Sequence, residues 1–220
     1  PGLARDAWKE VMQTLRCAAR FPDLSRFLVA AVFYQAGVHT VIALAAIYAT
    51  QATRFTTQQR LGLIFAVNST AAAGALLFGH AQDRIGPVRA LAMVLAGWLV
   101  TLAIAAGALT PAPFWVAAHL AGLCMGATLS GGRAVAGLLS PSSRRAEFFG
   151  FWGLAMKLSA ILGPLSYGLV TWISSGNHRL ALLFTGVFFL AGLALLVRVR
   201  AGRGRRNALQ AEQAFRKEMT

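Results

Sequence analysis

Six stretches of the chain run apolar for about the ~20 residues that cross a bilayer, and short polar turns separate them. They fall at Phe27–Ala49, Leu61–His80, Ala90–Leu109, Phe114–Leu139, Phe148–Ile173 and Leu180–Val197. The connections Thr50–Arg60, Ala81–Arg89, Thr110–Pro113, Ser140–Glu147 and Ser174–Arg179 are short enough to force antiparallel neighbours. No period-two alternation competes with this pattern. The spacing predicts an all-α membrane protein of six transmembrane helices in one bundle at 27–197.

The spans differ in polarity. The third (Ala90–Leu109) and sixth (Leu180–Val197) contain nothing more polar than threonine, so they can face lipid all round. The first carries Gln35 and His39, the second Asn68, the fourth His119 and Arg133, and the fifth Lys157. Two triplets, each closing on its most lipid-compatible helix, suggest a three-plus-three repeat. Residues 1–26 are polar and amphipathic, with Trp8, Val11, Met12, Leu15 and Ala19 on one face, and read as a linker helix at the membrane surface. Residues 198–220 form a basic tail.

Composition agrees. Mean hydropathy is +0.60, and 57% hydrophobic with only 13% charged residues does not describe a soluble domain. The formal charge of +14 suggests a nucleic-acid partner until its placement is considered: the basic residues lie in turns and tails, with no basic surface interleaved with aromatics. Their distribution orients the chain instead. Arg5, Lys9, Arg16, Arg20, Arg26, Arg84, Arg89, Arg144, Arg145 and the tail from Arg198 to Lys217 collect on one side; the other has only Arg54, Arg60 and Arg179. Both termini are therefore expected in the cytoplasm. The tail reads as a stop signal after the last span, with attraction to anionic lipid as a secondary role. Cys17 and Cys124 give no disulfide or metal signal. No cofactor or metal site is expected. A first residue of Pro1 rather than Met suggests a longer parent.

Lys157 is the sharpest functional pointer. It sits mid-span, where an ammonium costs roughly 2.5–3.5 kcal/mol on insertion scales. Gly150, Gly153, Ala160, Pro164 and Gly168 share its side, a small-residued face suited to helix contact, and Pro164 predicts a kink. Lys157 is expected either to meet an acid or an anionic substrate, or to be neutral through burial. Gln35 and His39 project from one face at i,i+4. His119, Gly122, Gly126, Ser130 and Arg133 make a polar, small-residued stripe on the fourth span. His39 and His119 are read as cavity-lining or as interhelical hydrogen bonds. Arg133 suits a cytoplasmic gate, and Asn68 a helix–helix hydrogen bond. None of the seven carboxylates lies within a predicted span, so proton coupling here would fall to His39 or His119.

The turn Gly79-His80-Ala81-Gln82-Asp83-Arg84-Ile85-Gly86-Pro87-Val88-Arg89-Ala90-Leu91 resembles the cytoplasmic motif of the major facilitator superfamily, G-x-x-x-D-R-x-G followed by basic residues and a leucine. Gly79, Asp83, Arg84, Gly86 and Leu91 match; Pro87-Val88 replaces the usual basic pair, and Arg89 comes one place late. Asp83 is read as lying near the positive start of the next helix, with Arg84 on a neighbouring helix end; a merely tight, positive-inside turn is the alternative. Ala146–Pro164, preceded by Gly131-Gly132-Arg133-Ala134, looks like the second half of the vacuolar-effluxer-like family, and Phe33–Ala49 fits the same family. One departure is Ala36, where relatives often carry an acid. The resemblance implies the C-terminal six-helix half of a major facilitator fold, a 3+3 inverted repeat completed by an N-terminal half. It implies that Phe27–Ala49 and Phe114–Leu139 line a cavity, while the spans bearing Asn68 and Lys157 meet the other half. Small polar metabolites such as amino acids, exported by alternating access, are the implied cargo, in a bacterial inner membrane.

Other functions compete with this one. A membrane-embedded enzyme lacks support: the chain has no intramembrane carboxylate cluster, no G-x-S-x-G elbow and no H-E-x-x-H pair. A non-transporting membrane scaffold or partner subunit remains the alternative.

Overall fold

The computed structural model describes residues 21–51, 56–108 and 110–218, and within them every regular element is helical. The helices are α1 (Pro22–Gln51), α2 (Thr57–Ile85), α3 (Pro87–Gly107), α4 (Pro111–Leu139), α5 (Arg145–Ile173), α6 (His178–Val197) and α7 (Ala201–Glu218). Helices α1 to α6 contain the six membrane-length apolar segments. The linker helix expected over the first twenty residues lies outside the described residues.

The helices overrun the apolar runs, because polar residues can continue a helix once it leaves the hydrocarbon. The first begins at Pro22 rather than Phe27, taking five residues from the expected linker. The second starts at a capping box: Thr56 Oγ1 accepts the Gln59 N–H at 3.3 Å, and Gln59 Oε1 accepts the Thr56 N–H at 2.9 Å. It then runs through Gly79, Asp83 and Arg84 to Ile85. The expected nine-residue turn Ala81–Arg89 thus shrinks to Gly86 alone, whose φ of 86° suits glycine. Pro87 opens α3 directly. At the far end of α5, Asn177 caps α6 by accepting the Leu180 N–H at 3.0 Å. The basic tail, expected as a simple stop signal, is the amphipathic helix α7; it packs Gly204 and Ala208 against the bundle and leaves Arg205, Arg206 and Leu209 outside.

The triplets interleave. Helix α1 packs on α5 and α6, the second and third helices of the other triplet; α4 packs in the same way on α2 and α3; and α3 meets α6. Glycines make both cross-triplet seams. A Cβ on Gly163 of α5 would collide with the Ala36 carbonyl of α1, and one on Gly74 of α2 with the Leu123 carbonyl of α4. Gly122 and Gly126 close the second seam against Val67, Thr70 and Ala71. This corrects the reading of the α4 stripe, whose glycines serve packing against α2. Neither α3 nor α6 faces lipid all round. Trp98 of α3 is 1% exposed, stacks on Phe189 of α6 with centroids 5.2 Å apart, and donates Nε1–H to Thr128 Oγ1 at 3.0 Å.

Helices α2 and α5 bury the smallest share of their lengths. Leu61, Ile64, Phe65, Leu76 and Leu77 on α2, and Ile161, Leu165, Leu169 and Trp172 on α5, are exposed. These second helices each present a long face that the described chain does not cover.

Candidate functional site

Polar groups buried in an apolar bundle normally find hydrogen-bond partners, since an unpaired one costs about 1–3 kcal/mol. Several here have none among the described residues. Both polar atoms of the Gln35 amide and His39 Nε2 are buried without a partner, and Tyr34 Oη and Trp152 Nε1 are buried with none but each other. Tyr34 and Gln35 are 0% exposed.

Tyr34 of α1, Gly132 of α4 and Trp152 of α5 meet, and Gln35 and His39 belong to the same stretch of α1 as Tyr34. Tyr34, Gln35 and His39 come from the middle of α1, and Trp152 from the inward face of α5. Gly132 of α4 leaves the room between them: a Cβ built there would lie 3.0 Å from Tyr34 Oη and 3.5 Å from Trp152 Nε1. The Arg133 guanidinium carbon sits 5.7 Å from the centre of the Trp152 ring, on the side open to solvent. At ~1.5 Å per residue, Trp152 lies ~10 Å and Tyr34 ~18 Å along their helices from the basic end. The opposite half holds an apolar cavity, lined by Val41, Leu63, Phe114, Ala117 and Met125 among others. The unpaired donors and acceptors are what a small polar solute requires. The phenol and indole lie side by side with the Arg133 cation against the indole ring, and the amide and imidazole come from the same stretch of α1.

Sequence reasoning found Gln35, His39 and Arg133 of this cluster and missed Tyr34 and Trp152. Aromatic residues inside apolar runs read as core, and only the lack of any partner but each other for their polar atoms separates these two from it. His119 is not brought to the cluster: its Nδ1 is 2.7 Å from the Trp115 carbonyl of its own helix. Among the described residues the Asn68 bond is within its own helix, its Nδ2 donating to the Ile64 carbonyl one turn back at 2.8 Å.

Lys157 is exposed, on the uncovered face of α5. A Cβ on Gly150, Gly153 or Gly168 of that face would meet nothing within 4 Å. The helix continues unbroken through Pro164, the expected kink site. Asn68 and Lys157 stand at corresponding places in the two triplets, each six residues before the seam glycine of its helix, Gly74 or Gly163. Two facts correct the reading of the Gly79–Arg89 segment. Asp83 lies in the last turn of α2, three residues before Gly86, the N-cap of α3, and makes no side-chain capping bond there. Asp83, Arg84 and Arg89 are exposed at the basic end. A third correction concerns Asp23. It was expected outside the spans, yet it lies in the first turn of α1 with its side chain 1% exposed.

Known proteins extend this picture. The family profile described as vacuole effluxer Atg22 like matches residues 2–209. Autophagy-related protein 22 of Cryptococcus neoformans var. neoformans serotype D (strain B-3501A) is 28% identical over 98% of this chain and 43% of its own length. The uncharacterized MFS-type transporter YxiO of Bacillus subtilis (strain 168) is 24% identical over 89% of this chain and 45% of its own. The 3-(3-hydroxy-phenyl)propionate transporter of Escherichia coli (strain K12) is 29% identical over 65% of this chain and 36% of its own length. The chain spans less than half the length of these curated relatives.

Proposed function

Because this chain belongs to the Atg22-like vacuole effluxer family, we propose that it forms the second half of a secondary transporter that exports a small polar metabolite by alternating access. The observation that carries the reading is the pair of uncovered faces on α2 and α5. Long apolar faces that stay bare in a helical membrane protein meet either lipid or more protein, and Asn68 and Lys157 make lipid the poorer choice. A partner half of six helices, rocking against this one, accounts for both faces at once. Cargo would bind where α1 and α4 turn polar atoms inward, at Tyr34, Gln35, His39 and Trp152, with Arg133 as a gate at the basic end. An amino acid fits the donors and acceptors of that cluster. The positive-inside rule favours the basic end, and with it both termini of the bundle, on the cytoplasmic side of a bacterial inner membrane. A proton-coupled step in this half would fall to the His39 imidazole, since no carboxylate joins the cluster.

The names of the relatives support a transporter rather than an enzyme. The test is a single cysteine at Ala160 in a cysteine-free full-length protein. If α5 meets a partner half, the thiol cross-links to a second cysteine in that half and resists membrane-permeant maleimide. Free labelling with no cross-link at any partner position would leave α5 facing lipid, and favour a non-transporting membrane subunit.

A further inference from the structure

The basic end of the bundle holds a cavity that transport does not use. Arg26 of α1, Val197 and Arg198 at the end of α6, and Arg200 and Arg203 at the start of α7 line about 450 Å³. Four of its five lining residues are arginines, and no acid belongs to the lining. One carboxylate lies beneath them. Asp23 accepts Arg203 Nε at 2.7 Å and Arg203 Nη2 at 2.8 Å, and the Arg200 backbone N–H at 3.1 Å. Arg26 Nη1 stands 3.8 Å away, a looser pair. Asp23 thus fixes where α7 begins and balances one arginine, while the other three arginines of the lining have no close acid within it. Gly204 allows the fit, since a Cβ there would collide with Leu139 and approach Asp23.

Like charges held together in a walled cavity favour an anion, and the guanidinium fork matches phosphate oxygens. The position says which kind. Val197, 69% exposed, is the last residue of a membrane-length helix. From Arg26 the same stripe of α1 continues outward through Val29 and Phe33, both exposed and apolar, at i+3 and i+7. A charged pocket therefore opens onto apolar surface at the membrane boundary. Free phosphate would use only the first; a phospholipid uses both. We propose that this cavity binds the phosphate of an anionic phospholipid in the leaflet on the basic side, with its acyl chain along Val29, Phe33 and Val197. Basic pockets between membrane helices take headgroups in this way.

Native mass spectrometry of the detergent-solubilised full-length protein tests this with phosphatidylglycerol, cardiolipin and phosphatidylcholine. Retention of either anionic lipid should exceed that of phosphatidylcholine. The double variant Arg198→Gln/Arg200→Gln should lower it by roughly tenfold or more. Arg200 reaches Asp23 through its backbone N–H, so that bond survives the change, and an unaltered gel-filtration profile confirms folding. The matched control Arg205→Gln/Arg206→Gln removes the same charge from the outer face of α7 and should leave retention unchanged. Equal losses in the two variants, or no preference over phosphatidylcholine, would overturn the site. Displacement of lipid by millimolar inorganic phosphate would overturn it as a lipid site and make it one for a soluble anion.

Discussion

At the scale of single residues, Gln35 offers the cleanest separation of function from stability. Its amide is fully buried and unpaired, so replacing it by a leucine of similar size removes a desolvated polar group rather than a bond. Gln35→Leu should leave the melting temperature of the full-length protein unchanged or raised, while amino-acid efflux from vesicles falls by about tenfold, the worth of one lost hydrogen bond to cargo. A clear drop in melting temperature, with efflux retained, would mean that the amide is structural. Lys157 is tested by the same assay. Lys157→Met should insert normally and lose most transport, and Lys157→Arg should keep a measurable part, if the charge rather than the ammonium geometry is what the proposed partner half meets. Full transport by Lys157→Met would make the lysine a passenger. Some of this was readable in the chain: Gln35, His39 and Lys157 stand out because a polar residue in an apolar run is costly wherever it points. Asp23 did not stand out, because its partner Arg203 lies 180 positions away and only the fold brings them together. Tyr34 and Trp152 were hidden by their apolar bodies.

Among elements, the six membrane helices and their order follow from hydropathy, and their ends do not. Helix ends depend on caps and on single conformations, such as the positive φ of Gly86, that no run of hydrophobic residues encodes. The residues 79–89, legible as a glycine-bearing motif, were illegible as two helices meeting at one residue. Helix α7 escaped notice because its basic composition masks the small packing stripe of Gly204 and Ala208. The two kinds of glycine on α5 yield a paired prediction. Gly163→Leu should destabilise this half by a few kcal/mol, since its side chain must displace the Ala36 backbone. Gly153→Leu meets open space within the chain. It should therefore leave this half's thermal stability alone and yet, on the proposed packing against a partner half, impair transport in the full-length protein. Equal melting temperatures for the two variants would contradict the assigned seam.

On the scale of the whole molecule, alternation of six helices places Arg26, Arg84, Arg89, Arg144, Arg145 and Arg198 at one end. Reporter fusions after Arg89 and after Arg145 should both read as cytoplasmic, and one at 110–113 as external; an external reading after Arg89 would invert the topology. The repeat was legible only as a rhythm of polarity. The exchange of partners between triplets was not, because contacts between distant helices leave no periodic mark in a sequence. That exchange bears on how the protein is made. Helix α1 is synthesised and inserted long before α5 and α6, its principal neighbours, exist, and α2 before α4. At ~5–20 residues per second, α1 waits on the order of ten seconds with Gln35 and Tyr34 turned toward lipid or the insertion machinery. The first three helices alone cannot settle into a finished unit, since two of them lack the surfaces that bury them. A nascent chain arrested after Gly107 should accordingly be a substrate for membrane quality control, and the step that rescues it is the arrival of the second triplet.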